Sequence, residues 1–121
     1  MNGPLLLLGC RDFLFATRIE TVARQLGWRV ERLDASPPRT SSEAPGIAVV
    51  DLDGEGDPLA WVRELRQSFP DLPLIAFSRH DRVEAIRAAR EAGATQVLAR
   101  GAFTQKLPEL LRRPTGGTMG P

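Results

Sequence analysis

The sequence has a single cysteine, Cys10, a single histidine, His80, and a single lysine, Lys106. One thiol excludes an internal disulfide and is in keeping with a cytoplasmic protein. One histidine leaves Cys10 only one candidate base, so a catalytic thiol here would lack a third orienting group. Long apolar runs are missing too. The start, MNGPLLLLGC, imitates a lipoprotein cleavage box, but its apolar run is only Leu5–Leu8 and no positive charge precedes it. A signal peptide needs about 15–30 residues, so this stretch is read as a first strand. No later segment reaches the ~20 apolar residues of a membrane span. Net charge is also scarce: sixteen basic residues against fifteen acidic ones leave +1, and no net field draws the chain to nucleic acid or membrane.

What is present centres on Gly46 to Pro58, GIAVVDLDGEGDP. The β-branched run Ile47–Val50 breaks into carboxylates and glycines, the pattern of a strand buried on both faces. Asp51 then stands at the carboxyl end of a central strand, where open α/β sheets place their sites.

Around it, short apolar runs alternate with helical stripes. Leu5–Leu8 is the first strand, followed by a stripe of Phe15, Ile19, Val22 and Leu26 that Gly27 ends. Arg29–Leu33 alternates like an edge strand with one wet face. Residues 34–45, DASPPRTSSEAP, leave room for one helical turn at most. After the central strand, Pro58 opens a helix with Leu59, Val62, Leu65 and Phe69 on one face. Leu74–Phe77 forms another buried strand, ending at Ser78. Asp81 is expected to cap a helix striped by Val83, Ile86, Ala89 and Ala92 and stopped by Gly93. Thr95–Ala99 is the last strand, and Phe103, Leu107, Leu110 and Leu111 line a final helix whose early turns Pro108 should disturb.

Five strand–helix alternations with short joins predict an α/β, flavodoxin-like, doubly wound five-stranded parallel sheet of order 2-1-3-4-5. The helix between strands 2 and 3 is expected to be shortened or missing. Residues 1–113 form one domain, and 114–121 a flexible Gly/Pro tail.

By these features, over Leu5 to Arg113, the sequence resembles the response-regulator (CheY-like) receiver domain. Asp51-Leu52 at the end of the central strand is similar to the family's phosphoacceptor motif. Leu74–Ser78 resembles its fourth strand, which ends in Ser or Thr, and Glu91-Ala92-Gly93-Ala94 matches its EAGA turn. The resemblance implies a magnesium-dependent phosphotransfer site: two acids after the first strand and the acceptor Asp hold the metal, while a hydroxyl and a Lys bind the phosphoryl oxygens.

This chain carries part of that set. Cys10 and Arg11 stand at the positions of the two metal-binding acids, with Asp12 one residue later. Arg100 replaces the Lys, Gly101 the following Pro, and Val97 the aromatic that repacks on activation. Asp51 and Ser78 remain. A thiol and a guanidinium do not hold a hard oxygen-seeking cation. Arg11 and Arg100 are therefore expected to ion-pair with Asp51 from two sides and depress its pKa. The resulting reading is a pseudo-receiver, not an enzyme, with no metal or other cofactor. It would recognise a protein in a signalling pathway, or a second copy of itself, through the last two helices and last strand (Arg82, Arg87, Arg90, Val97, Lys106). Nucleic acid is not an expected partner, because helix acids dilute the basic patch and no aromatic platform accompanies it.

Two alternatives remain. A conventional phosphoacceptor receiver would use Asp51, Ser78 and Arg100 with Mg²⁺ on a displaced ligand. A small phosphatase of the DxDG type would use Asp51 as nucleophile and Asp53 as general acid. Asp51, Asp53, Glu55 and Asp57 do not form an EF-hand, whose twelfth position would be Val62 instead of Glu.

Overall fold

The computed structural model describes residues 3–33 and 43–112. Five parallel strands form one sheet in the order β2-β1-β3-β4-β5. They are β1 (Leu5–Gly9), β2 (Arg29–Arg32), β3 (Ile47–Asp51), β4 (Leu74–Ser78) and β5 (Gln96–Ala99). The helices are α1 (Phe13–Gln25), α2 (Pro58–Ser68), α3 (Val83–Ala92) and α4 (Arg100–Leu110). The expected sheet order is thus the one found. The stretch in which the helix after β2 was expected to be shortened or missing, and the C-terminal tail, lie outside the described residues.

Side-chain alternation along the strands divides the core in two. Leu5, Leu7, Ala48, Val50, Leu74, Ala76 and Val97 face α2 and α3. Leu6, Leu8, Ile47, Val49, Ile75 and Phe77 face α1 and α4. Every residue of β1, β3 and β4 is buried, which is why those strands read as unbroken apolar runs. The edge strand β2 is only half-buried throughout.

Two glycines are required by packing. A Cβ on Gly9 would lie 2.5 Å from Cε3 of Trp61, so the indole of α2 reaches the end of β1 only because that position has no side chain. Gly93 has φ +121, and a Cβ there would meet Cγ of Arg66 at 2.7 Å. Arg66 donates to the carbonyls of Gly93, Phe69 and Pro70 and so ties the ends of α2 and α3 together. The EAGA turn therefore has a physical basis: a left-handed helix exit over which a guanidinium lies.

Three local expectations are corrected. Asp81 does not cap α3: Arg82 takes the cap position without a side-chain bond, and Asp81 pairs with Arg79 instead. Val83, placed on the buried stripe, is 59% exposed, because the helix turns only Ala89 fully into the core. Pro108 sits late in α4 at an exposed position and costs the helix one hydrogen bond without interrupting it.

Candidate functional site

Four loops meet at the carboxyl edge of the sheet: those after β1, β3 and β4, and the junction of β5 with α4. Asp51 ends β3 and is 2% exposed. By the alternation of β3 its side chain follows Ile47 and Val49 towards α1 and α4. Oδ1 accepts the backbone N–H of Asp53 at 2.9 Å. Oδ2 accepts the Cys10 thiol, Sγ 3.6 Å away, and Nη1 of Arg100 lies 3.8 Å from the same oxygen.

Burial pushes the Asp51 carboxyl above its ordinary pKa of 3.8, against the opposing pull of the Asp53 N–H, Arg100 and the thiol. The expected depression is therefore overturned. Withdrawal from water outweighs a guanidinium that lies beyond hydrogen-bond distance and keeps part of its own hydration.

Cys10 is buried, and its pKa is pushed up to about 12 by burial first and then by the charge of Asp51. It is a thiol donor here and not a nucleophile. Arg11 is the second correction. Its side chain runs past Gly54 and Gly56, and its guanidinium lies 5.3 Å from the centroid of the Trp61 ring. Among the described residues no ion pair joins Arg11 to Asp51. Arg11 is exposed, and the Trp61 ring gives its guanidinium an aromatic partner at the surface.

Arg100, the first residue of α4, is the one of the two expected arginines that reaches Asp51. Nη2 pairs with Asp12 at 3.2 Å, and Nη1 lies 3.8 Å from Asp51 and 3.9 Å from Asp53. The guanidinium stacks 4.2 Å from the Phe15 centroid and 5.7 Å from that of Phe77, which itself stacks on Phe103. Asp12 meanwhile caps α1 through the N–H of Phe15.

Asp53 was considered from sequence as part of a phosphatase motif and of a rejected calcium loop, yet it gathers more donors than Asp51. Oδ1 accepts the Ser78 hydroxyl at 2.7 Å and Nη1 of Arg82 at 2.8 Å, and Oδ2 accepts the N–H of Arg79 at 2.8 Å. Burial alone would raise its pKa, but these three donors hold the carboxyl below the usual value. Ser78 turns to Asp53 and not to Asp51 because strand alternation sends it, with Leu74 and Ala76, to the α2/α3 side. The available signal was a second acid two residues after Asp51, in the turn that follows β3.

A divalent cation of the kind the resemblance implies needs several free oxygen ligands. Cys10 offers a protonated sulfur, Asp12 is engaged by α1 and Arg100, and Arg100 sets a positive charge against Asp51. Among the described residues no three His, Cys, Asp or Glu side chains converge as a metal site. The residues present do not fit the metal.

No family model matches the chain. The transcriptional activator protein ExaE of Pseudomonas putida is 31% identical over 117 residues. That match takes in 96% of this chain and 53% of the relative, so the chain spans about half the length of that protein. A CheY-like response regulator receiver domain protein from Methanospirillum hungatei superimposes with a TM-score of 0.73 at 14% identity, covering 91% of this chain and 94% of its own. A response regulator protein from Burkholderia pseudomallei, with a phosphorylated aspartic acid, a calcium ion and citrate, gives 0.71 at 16% identity, covering 94% of this chain and 69% of its own. The chain has the receiver fold.

Within the receiver fold, the residues expected to face a partner do not form one patch. Arg87 and Arg90 of α3 and Lys106 of α4 are exposed. Val97 is buried beneath α2 and α3 and presents nothing to a partner. Arg82 bends inward onto Asp53 and the carbonyl of Leu52. His80 is exposed, as a loop residue should be. Among the described residues, no helix is long and apolar enough to cross a membrane.

Proposed function

We propose that this chain is a pseudo-receiver: a receiver-fold module of signal transduction that acts by protein–protein recognition, without Mg²⁺-dependent phosphorylation of Asp51 and without enzymatic activity. The observation that carries this reading is the furnishing of Asp51. Of the two positions from which a cation would be held, one supplies a neutral thiol bonded to Asp51 and the other Arg11, turned to Trp61, while Arg100 brings a guanidinium to 3.8 Å from the same carboxylate. The receiver fold supports a place in signalling. The cytoplasmic setting, the partner and any self-association are part of the same proposal.

The phosphatase alternative requires Asp53 to donate a proton as general acid. Three donors that hold its carboxyl below the usual range argue against that role. We put the recognition surface on the exposed basic residues Arg87 and Arg90 of α3. An Arg87→Glu, Arg90→Glu double variant should then lose a partner that the wild type captures.

The direct test is incubation with acetyl phosphate and Mg²⁺, read by intact mass, beside an Asp51→Asn control. The expected result is no Mg²⁺-dependent adduct. A near-stoichiometric adduct that needs Mg²⁺ and disappears in Asp51→Asn would restore the conventional phosphoacceptor reading.

A further inference from the structure

Three hydrogen-bond donors and a more distant guanidinium converge on Asp53. They are the Ser78 hydroxyl at the end of β4, the N–H of Arg79 in the following loop, Nη1 of Arg82 just before α3, and Nη1 of Arg100 at the start of α4. Oδ1 takes Ser78 and Arg82. Oδ2 accepts the Arg79 N–H at 2.8 Å, and Arg100 Nη1 stands 3.9 Å from it as a looser ion pair. A hydroxyl, a backbone N–H and two guanidiniums closing on one point are the components from which proteins build oxyanion sites. Such donors form a cradle that a group with anionic oxygens can fill.

The occupant here is a side chain of the same molecule. Asp53 enters from the loop after β3, two residues beyond Asp51, whose own Oδ1 is bonded to the Asp53 backbone N–H. The carboxylate is only 14% exposed, so it sits within the cradle and does not lie across its rim.

We propose that Asp53 is a built-in anionic ligand filling an oxyanion-binding cradle formed by Ser78, Arg79, Arg82 and Arg100. In the wild type it excludes phosphate-like anions and clamps the loop after β4 to the end of β3. The clamp reaches the start of α3 through Arg82, and α3 carries Arg87 and Arg90. The proposal deepens the proposed function and rests on it for its meaning: the recognition surface is held in one state by an internal carboxylate, with no added phosphoryl group. The cradle itself does not depend on that reading.

The test removes the occupant and supplies another. Asp53→Ala and wild type are titrated with sodium phosphate against sodium chloride of matched ionic strength, following thermal unfolding and the Arg79 amide resonance. Asp53→Ala should bind inorganic phosphate at least about tenfold more tightly than wild type, with a shift of the Arg79 amide. Adding Ser78→Ala or Arg82→Met to it should abolish the gain. A folded Asp53→Ala that responds to phosphate no more than wild type does would overturn the proposal. If Asp53→Ala is unfolded in chloride, phosphate must restore its circular dichroism, and failure to do so equally overturns it. These outcomes are separate from the acetyl phosphate experiment, which reads modification of Asp51 in the wild type.

Discussion

Replacing Arg100 by Met tests the electrostatics of the site most directly. The substitution keeps an apolar stem and a polarisable sulfur against Phe15 while removing the charge shared by Asp12, Asp51 and Asp53. At the 3.8 Å that separates Nη1 from Asp51 Oδ2, two unit charges attract by about 4 kcal/mol in an effective dielectric near 20. Arg100 is 31% exposed, so water already offsets much of that attraction, and exposed pairs contribute less than about 1 kcal/mol. The net loss between these bounds is about 2 kcal/mol near neutral pH. Asp51 also makes it depend on pH. Its folded pKa is raised above the unfolded value, so the stability it contributes is fully present below about pH 3.8 and is lost as pH rises through the folded pKa. Without Arg100 that folded pKa rises further, and the variant loses more stability than the wild type over the same interval. Urea unfolding of both proteins at about pH 4 and about pH 7 should give a difference that grows with pH. The hydrogen bond of Arg100 to Asp12 and its looser ion pair with Asp53 account for what persists in acid. A difference that is constant with pH, or below about 0.5 kcal/mol throughout, would show that Arg100 does not compensate the buried carboxylate.

Gly9→Ala drives a methyl group into the Trp61 ring, where 2.5 Å is available, and should cost about 2–3 kcal/mol in urea unfolding with a changed Trp emission. A cost under about 0.5 kcal/mol would mean the indole can retreat. Cys10, buried with a pKa of about 12, should react with a disulfide reagent at about pH 8 at least ~100-fold more slowly in the native protein than in urea. Rapid native reaction would contradict a thiol bonded to Asp51. Arg11→Ala removes only a stacking contact over Trp61, so stability should change by less than about 1 kcal/mol. NMR titration of Asp51 should be unmoved in that variant, and a displaced midpoint would return Arg11 to the site.

The sheet was legible because β1, β3 and β4 are buried on both faces and therefore carry no polar residue until their ends. The helices were legible from stripes such as Phe15, Ile19 and Leu26, and the end of α3 from Gly93, whose positive φ leaves few other choices. The site was legible only as a set of loops. Sequence position brings Arg11 and Arg100 to the same edge of the sheet, but each guanidinium ends several rotatable bonds from its backbone. Which one reaches Asp51 was decided by other residues: Trp61 gives Arg11 an aromatic face away from the carboxylate, while Phe15 and Phe77 provide the surface on which Arg100 lies. Asp53 was underrated for the converse reason. Its donors come from Ser78, Arg79 and Arg82, about 25 residues away, and only the adjacency of β3 and β4 brings them within reach. Val97 was misplaced because a residue replacing a mobile aromatic in a resembling family need not inherit its exposure. On β5 its side chain points into the core.

The charge balance of the finished site bears on whether it could accept a phosphoryl group as it stands. Three carboxylates, Asp12, Asp51 and Asp53, face two guanidiniums, Arg82 and Arg100, and Arg100 is shared among all three acids. Arg11 carries a further positive charge, but holds it over Trp61. A phosphoryl group brings close to two negative charges at neutral pH and several strong acceptors. With no cation added, it would have to compete with Asp53 for Ser78, the Arg79 N–H and Arg82, and it would leave that carboxylate half-buried without its donors. The displaced acid would then lie beside a modified Asp51, so like charges would accumulate where water is already excluded. Neutralising Asp53 is therefore the change that should open the site, and restoring an acid at Cys10 alone should not, because that adds a fourth negative charge while the cradle remains filled.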